Sequence, residues 1–156
     1  MFNIVLVTPQ IPNNTGAIGR LCVNTGSRLH LIKPLGFDIS EKALRRAGMD
    51  YWHKLDLKVW ESLDAFLAAH PDRERFFFAT TKTDRPYFDL SFQPGDYLLF
   101  GSETSGLPAE LLESHPDRTM TIPMTKEGRS LNLAISTGII LYEAIKQNFD
   151  AYTELM

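Results

Sequence analysis

Short apolar segments alternate with amphipathic segments along this chain, and this alternation constrains its fold more than any other feature. The apolar segments are short and are bounded by turn residues, which is typical of buried strands. Amphipathic segments of helical period separate them, as in a mainly parallel sheet that helices cover on both faces. Strands are expected at residues 2–8, 28–33, 55–59, 75–80, 97–101 and 119–122. Helices are expected at about residues 14–25, 40–47, 61–70, 108–114 and 131–149.

The 156 residues fit a single α/β domain, because a chain of this length buries enough surface to fold alone. The formal net charge is −3, so any contact with nucleic acid must come from a local basic patch. The chain has one cysteine, no run of about 18 apolar residues that could span a membrane, and an amino terminus unlike a signal peptide. We therefore expect a cytoplasmic protein without a membrane partner.

This sequence lacks the signature motifs of several common classes of α/β enzyme. The turn after the first strand reads PQIPNNTGAIGR, which contains no G-x-G dinucleotide fingerprint. Neither a G-x-x-x-x-G-K-[ST] phosphate loop nor a G-x-S-x-G nucleophile elbow occurs. The four histidines stand far apart and accompany no cysteine cluster, so we expect no metal site.

The segment NNTGAIGR, residues 13–20, gives the first helix two different faces. Asn13, Gly16 and Arg20 share one face because they are three or four residues apart, whereas Ile18 lies on the other. The helix cap is expected at residue 14 or 15. A polar face with an arginine and a glycine can receive a ligand, although a solvated surface helix would show the same pattern.

Two later strands end in polar loops that contain glycine. The strand at 97–101 leads into GSETSGLP, whose glycines allow a ligand to lie against the backbone, although a plain strand–helix turn explains them equally well. The strand at 119–122 leads into PMTKEGRSLN and the longest expected helix. Apolar residues at the start of that helix imply that this start is buried. The polar side chains of Ser130 and Asn132 then need hydrogen-bond partners, which are either the amides of a helix end that they cap or a ligand. Ser130 is the simpler cap, but this leaves Asn132 unexplained.

Together these segments resemble the SPOUT (α/β-knot) RNA methyltransferases, most closely the short tRNA (cytidine/uridine-34)-2′-O-methyltransferases. The resemblance runs in order through IVLVTPQIPNNTGAIGRLC, LRRAGMDYW, DYLLFGSETSGLP and IPMTKEGRSLNLAISTGIILYEA, which span nearly the whole chain. It implies one SPOUT-type domain over residues 1–156, a deep trefoil knot near the carboxyl terminus, and a cofactor site at about residues 78–150.

The resemblance also implies that S-adenosylmethionine binds among the knot loops, leaves S-adenosylhomocysteine as product, and needs no metal. By motif position, the cofactor site would comprise Thr80, Gly101, Glu103, Ile122, Met124, Ser130 and Leu131. The polar catalytic set would comprise Asn14, Arg20, Glu103 and Asn132. The second motif departs from the family's usual GPET-R-GLP, since Ser102 and Ser105 replace a proline and an arginine.

Arg20 is the candidate for the residue beside the reacting ribose hydroxyl. An arginine is protonated in proteins and is therefore a poor free base. We expect it to hold the adjacent phosphate and to stabilise the developing alkoxide.

The stretch KALRRAGMDYWHK, residues 42–54, is the best local candidate for RNA docking. Its basic residues Lys42, Arg45 and Arg46 share a short helix, and aromatic residues follow them. This combination suits phosphates and unpaired bases, but a solvated helix face beside core aromatics would look the same. Lys126 and Arg129 add positive charge beside the expected cofactor.

The resemblance implies methylation of the ribose 2′-hydroxyl of tRNA wobble nucleotide 34, a cytidine or modified uridine, in leucine isoacceptors, with the anticodon stem-loop as partner. Methylation of another tRNA or rRNA position is an alternative, and so is a non-catalytic knotted protein that binds cofactor or RNA. The strongly apolar last helix predicts a homodimer. The family implies that its amino-terminal and carboxy-terminal helices pair across a two-fold axis, with Arg20 of one chain near the cofactor of the other.

Overall fold

The computed structural model describes residues 1–155, with side chains described as far as residue 153, and it confirms an α/β domain built on one sheet. The six strands lie in the order β3-β2-β1-β5-β4-β6, and all neighbouring strands are parallel. They are Asn3–Val7 (β1), Arg28–Ile32 (β2), Leu57–Trp60 (β3), Phe76–Ala79 (β4), Tyr97–Phe100 (β5) and Thr119–Met120 (β6).

Five α-helices connect or follow the strands in the described part of the chain. They are Pro12–Thr25 (α1), Glu41–Arg46 (α2), Leu63–Ala69 (α3), Ala109–Ser114 (α4) and Leu133–Gln147 (α5). Short 3₁₀ helices lie at Trp52–Lys54, Tyr87–Asp89, Pro116–Arg118 and Phe149–Leu155. The bounds predicted from sequence agree with these strands and α-helices to within two residues. Between residues 1 and 155, no helix is long and apolar enough to cross a membrane.

The sheet is buried on both faces, as predicted. Successive residues of β1 point to opposite sides, so Ile4 and Leu6 enter one apolar cluster while Val5 and Val7 enter the other. The first cluster includes side chains of α1 and α5, and the second includes side chains of α3 and α4. Helices therefore cover both faces of a parallel sheet. The trefoil knot stays a prediction.

The predicted cap of α1 is wrong. Pro12 opens the helix and Ile11 is the N-cap residue, so Asn14 and Thr15 lie inside the first turns. Proline suits this position because the first helical residue needs no amide donor. At the other end Gly26 has φ 65°, the left-handed conformation expected of a glycine that ends a helix.

The start of α5 also differs from the prediction. Asn132 caps this helix, because its side-chain oxygen accepts from the amides of Ala134 (2.8 Å) and Ile135 (3.2 Å). The expectation that Ser130 caps it is therefore wrong. So is the expectation of a buried start, since residues 130–132 are exposed in the chain. Residue 108, where the sequence prediction begins the fourth helix, is Pro108, and the structure places it at the N-cap of α4 and not inside the first turn.

Candidate functional site

A cavity of about 540 Å³ opens where the strands end. Its walls come from five places: the end of β4, the loop after β5, the loop between β6 and α5, the first half of α5, and the first turn of α1. Open α/β sheets bind their ligands at the carboxyl ends of the strands. The volume lies within the range of roughly 300–1,000 Å³ that small-molecule sites occupy. The cavity is therefore the candidate site.

The cavity gathers every residue that the sequence motifs assigned to the cofactor. These residues come from three separate loops, and they are Thr80, Gly101, Glu103, Ile122, Met124, Ser130 and Leu131. Asn14 and Asn132, from the proposed catalytic set, line it as well. The structure thus brings the predicted residues together, while their roles toward a cofactor stay predictions.

A chain of hydrogen bonds joins three of the four predicted catalytic residues. Asn132 Nδ2 donates to Asn14 Oδ1 (2.8 Å), and Asn14 Nδ2 donates to Glu103 Oε2 (3.2 Å). The Glu103 carboxylate also accepts from the backbone amides of Gln10 (2.9 Å) and Ile11 (2.7 Å). The loop after β5 is thereby fastened to the start of α1, and α1 to the start of α5.

The surroundings of Glu103 keep its carboxyl group ionised. Burial alone would raise its pKa, but backbone amides, above all that of Gln10, and the side-chain amide of Asn14 outweigh it. The net effect lowers the pKa below its ordinary value of 4.5. An ionised carboxylate only accepts hydrogen bonds. Glu103 therefore serves as an acceptor that holds neighbouring amides in place.

The loop after β5 requires glycine at two positions to adopt its turn. A Cβ atom on Gly101 would overlap the backbone of Gly106 and Leu107, and Gly106 itself has φ 68°. Ser102 Oγ accepts from the Ser105 amide (3.1 Å) and lies 2.7 Å from Ser105 Oγ. The two serines that depart from the family pattern therefore bond to each other across the turn.

Arg20 is the one member of the predicted catalytic set that lies apart from the others. Its side chain is exposed on α1, with the guanidinium carbon 5.6 Å from the ring centroid of Tyr51. The hydroxyl of Tyr51 in turn donates to the carbonyl of Gly16. Arg20 is not among the cavity-lining residues of the described chain.

The predicted RNA-binding residues occupy two exposed places. Lys42, Arg45 and Arg46 lie on α2, where Arg45 also pairs with Glu41 (2.5 Å). Residues Lys126 and Arg129 lie in the exposed loop between β6 and α5.

Sequence reasoning missed Lys82, which lines the cavity two residues after Thr80. Its position just beyond the end of β4 is the signal that could have identified it. Among residues 1–155, no cluster of three or more histidine, cysteine or acidic side chains could hold a metal ion.

Known proteins resemble this chain over nearly its full length. The model of the SpoU rRNA Methylase family matches residues 1–142. The tRNA (cytidine(34)-2'-O)-methyltransferase of Burkholderia ambifaria is 48% identical over 149 residues, which cover 94% of this chain and 96% of that protein.

Two solved structures extend the likeness to the fold. One, described as "Structural insights into the 2-OH methylation of C/U34 on tRNA", is 43% identical with a TM-score of 0.88, and covers 96% of this chain and 97% of the other. The second is the SpoU methyltransferase AviRb of Streptomyces viridochromogenes in complex with the cofactor AdoMet. It is 26% identical with a TM-score of 0.75, and the match covers 95% of this chain and 60% of that one.

Proposed function

The chain belongs to the SpoU rRNA methylase family, and from this membership we propose that it methylates the ribose 2′-hydroxyl of tRNA nucleotide 34. The observation that carries the proposal is the cavity at the strand ends, which gathers the motif residues of three loops. The substrate is a cytidine or modified uridine in the anticodon stem-loop of leucine tRNAs, and the protein acts in the cytoplasm. Relatives named for cytidine 34 support the nucleotide, and the leucine isoacceptors rest on the sequence resemblance.

The lining of the cavity fits S-adenosylmethionine, which supplies the methyl group when bound. The apolar side chains of Ile122, Met124 and Leu131 suit its uncharged parts. Thr80 and Ser130 offer hydroxyl groups, and the loop around Gly101 offers backbone donors and acceptors. These residues would hold the cofactor and exclude water from it.

Arg20 acts on the RNA in this proposal. Because its guanidinium is permanently charged, it holds the phosphate next to the target ribose and stabilises negative charge that develops on the 2′-oxygen. Phosphates farther along the RNA contact the exposed basic residues of α2 and of the loop before α5. These residues are Lys42, Arg45, Arg46, Lys126 and Arg129.

The active unit in this proposal is a homodimer. Leu131, Ile135 and Tyr142 are 39%, 55% and 52% exposed, and their spacing places them along one side of α5 and its approach. A second copy covers this stripe, with α1 and α5 of each chain at the two-fold axis. Arg20 of one chain then completes the cavity of the other, which accounts for its distance from the cavity in its own chain.

Two measurements test the proposal. Calorimetry should show one S-adenosylmethionine or S-adenosylhomocysteine bound per folded chain, and no heat for either would contradict the cofactor assignment. Radioactive methyl transfer to an anticodon stem-loop should be lost when nucleotide 34 alone carries a 2′-deoxyribose. Transfer that survives this change would move the target to another nucleotide.

A further inference from the structure

A second cavity, of about 380 Å³, opens between the first turns of α1 and the helix α2. We name it the α1–α2 cavity. Pro12 and Thr15 line it, whereas their neighbours Ile11 and Asn14 line the larger cavity at the strand ends. The start of α1 therefore separates two adjoining cavities, and the proposed function uses the larger one.

The hydroxyl group of Thr15 indicates that the α1–α2 cavity binds a polar ligand. Thr15 is 1% exposed, and its Oγ1 has no hydrogen-bond partner among the described residues. A buried hydroxyl without a partner is unfavourable, and native proteins satisfy nearly all such groups. Thr15 is among the residues that line the cavity, and its Oγ1 lies just below the accessible surface, so a molecule bound there supplies the missing partner after a small shift of the neighbouring side chains.

The walls of the α1–α2 cavity suit a flat aromatic ligand. Phe37 and Trp52 contribute aromatic rings, and Leu44 and Met49 contribute flexible apolar side chains. Nucleobases stack on aromatic side chains irrespective of sequence, because each base has a π-face. The volume is near the lower end of the range for ligand sites, which suits one base better than a large cofactor.

The charges around the cavity suit a nucleotide. Arg46 lines it, and Lys42 and Arg45 are exposed on the same short helix. Arg45 pairs with Glu41 on this helix, so Lys42 and Arg46 are the cations that suit the phosphates on either side of a bound base.

Asp38 adds an acceptor to the lining. Its carboxylate accepts from the Ser40 amide (2.8 Å) and the Ser40 hydroxyl (3.0 Å), and these bonds lower its pKa. An ionised carboxylate accepts hydrogen bonds and donates none, so it favours a base that carries an exocyclic amino group. Cytosine, adenine and guanine have such a group, and uracil has none.

The α1–α2 cavity also lies close to Arg20. Met49 and Trp52 line the cavity, and Tyr51 between them carries the guanidinium of Arg20 over its ring. One short segment therefore connects the cavity to the residue that the proposed function places at the target ribose.

We infer that the α1–α2 cavity binds one unpaired, amino-bearing base of the RNA substrate, with Thr15 as its buried hydrogen-bond partner. The inference rests on the proposed function and adds to it a base-binding subsite outside the cofactor cavity. A base anchored here fixes the position of the RNA relative to Arg20.

Two variants test the subsite. Ala43→Leu places a larger side chain in the lining of the cavity, while Thr15→Val removes the hydroxyl and keeps the shape of the side chain. Affinity for a labelled anticodon stem-loop should fall about tenfold in Ala43→Leu and about fivefold in Thr15→Val. Ala68→Leu, at an exposed position of α3, is the matched control and should bind like the wild type. Thr15→Val should unfold at the same or a higher temperature than the wild type, because it removes a buried hydroxyl without a partner, and its S-adenosylhomocysteine affinity should be unchanged. Its loss of RNA affinity therefore tests the subsite even if Ala43→Leu unfolds.

An abasic scan of the loop identifies the bound base. Removing one particular base should weaken binding to the wild type and have little further effect on Ala43→Leu, because both changes remove the same contact. Uracil at that position should also bind more weakly than the amino-bearing base. Additive losses at every position, or wild-type binding by Thr15→Val, would overturn the subsite while the methyl-transfer assay still reports the proposed function. A wild type that methylates no RNA would overturn that function instead.

Discussion

Asn132 and Asn14, 118 positions apart in the chain, are joined by a hydrogen bond of 2.8 Å from Asn132 Nδ2 to Asn14 Oδ1. The oxygen of the same Asn132 side chain caps α5, and the nitrogen of Asn14 donates to Glu103. One capping side chain thus links the start of α5 to α1 and, through it, to the loop after β5. Three walls of the candidate cofactor cavity depend on each other through these bonds.

The cap of α5 gives the first prediction. Asn132→Ala removes the cap and the bond to Asn14, and loss of a cap costs about 1 kcal/mol. For a domain of this size, we expect the midpoint of thermal unfolding to fall by about 2–4 °C. Ser130→Ala is the control, because Ser130 is exposed and does not cap the helix. Equal shifts in the two variants would contradict the assignment of the cap.

Glu103 gives a prediction that depends on pH. Its pKa is lowered in the folded protein, so its contribution to stability is present above the ordinary value of 4.5 and is lost as the pH falls through the folded pKa. Glu103→Gln should therefore lower the free energy of unfolding at neutral pH, and the difference from wild type should shrink as the pH falls below 4.5. Urea unfolding at several pH values measures this. Glu113→Gln, at an exposed position of α4, should show no such convergence.

Replacing Arg20 tests its assignment to the catalytic set. Arg20→Ala should reduce methyl transfer about a hundredfold or more, the effect of removing a donor that stabilises developing charge. Affinity for S-adenosylhomocysteine should be nearly unchanged, because the proposed function assigns Arg20 to the RNA phosphate and the developing charge on the 2′-oxygen and not to the cofactor. Arg28→Ala, which removes a half-exposed arginine paired with Asp56, is the control. Wild-type turnover of Arg20→Ala in a tritium-transfer assay would show that the residue is misassigned.

The fold could be predicted because it depends on local pattern. The strands are short apolar runs bounded by turn residues, and Ser40 and Gly26 occupy the helix-end positions that their conformational preferences favour. The cap of α5 could not be predicted in this way. Ser130 and Asn132 both can cap a helix, and the choice depends on Asn14, which is distant in sequence. The sequence contains no local signal for that contact.

The candidate site was predictable as a set of residues but not as an arrangement. Motif order identified the three loops, because strand ends of a parallel sheet meet at one edge. The overlap that a Cβ of Gly101 would cause with Gly106, and the contact of Arg20 with Tyr51, arise only when the chain has folded. The unsatisfied hydroxyl of Thr15 is likewise a property of packing, since sequence alone suggested that Thr15 could cap the helix.

His30 gives a prediction about protonation in the core. Burial is the main cause that lowers its pKa from 6.5 to about 4, and the neighbouring His70 adds to it. Trp60 Nε1 donates to His30 Nδ1 (3.1 Å), so Nε2 carries the proton and donates to Asn3 Oδ1 (3.1 Å). Nitrogen NMR should show this neutral tautomer, unchanged as the pH falls from neutral to about 5.5. A ring that titrates near its ordinary pKa would contradict the buried arrangement.

The lowered pKa of His30 also makes the free energy of unfolding depend on pH. Its pKa is lower in the folded than in the unfolded protein, so the neutral ring favours folding above 6.5 and loses this contribution as the pH falls toward about 4. We therefore expect the free energy of unfolding to decrease over this interval. Replacing His30 by glutamine, which keeps a donor and an acceptor, should flatten that part of the pH profile.

The exposed side of α5 gives the last prediction, that a second copy of the chain covers it. Within residues 1–155, a Cβ at Gly138 would meet no atom closer than 4 Å, and Ile135 beside it is 55% exposed. Ile135→Glu and Gly138→Leu should therefore leave the folded chain intact, while both disturb a helix that packs closely against this stripe. Light scattering should give a mass near twice 17.7 kDa for the wild type and near 17.7 kDa for the variants. Phe88→Glu, at a comparably exposed apolar residue outside α5, should keep the dimer. Because Arg20 would reach the cofactor of the other chain, methyl transfer by Ile135→Glu and Gly138→Leu should fall together with their dimer content. Mixing Arg20→Ala chains with Gly101→Trp chains should restore part of the methyl transfer that these two variants lose separately. A monomer that methylates RNA at the wild-type rate would refute the shared site.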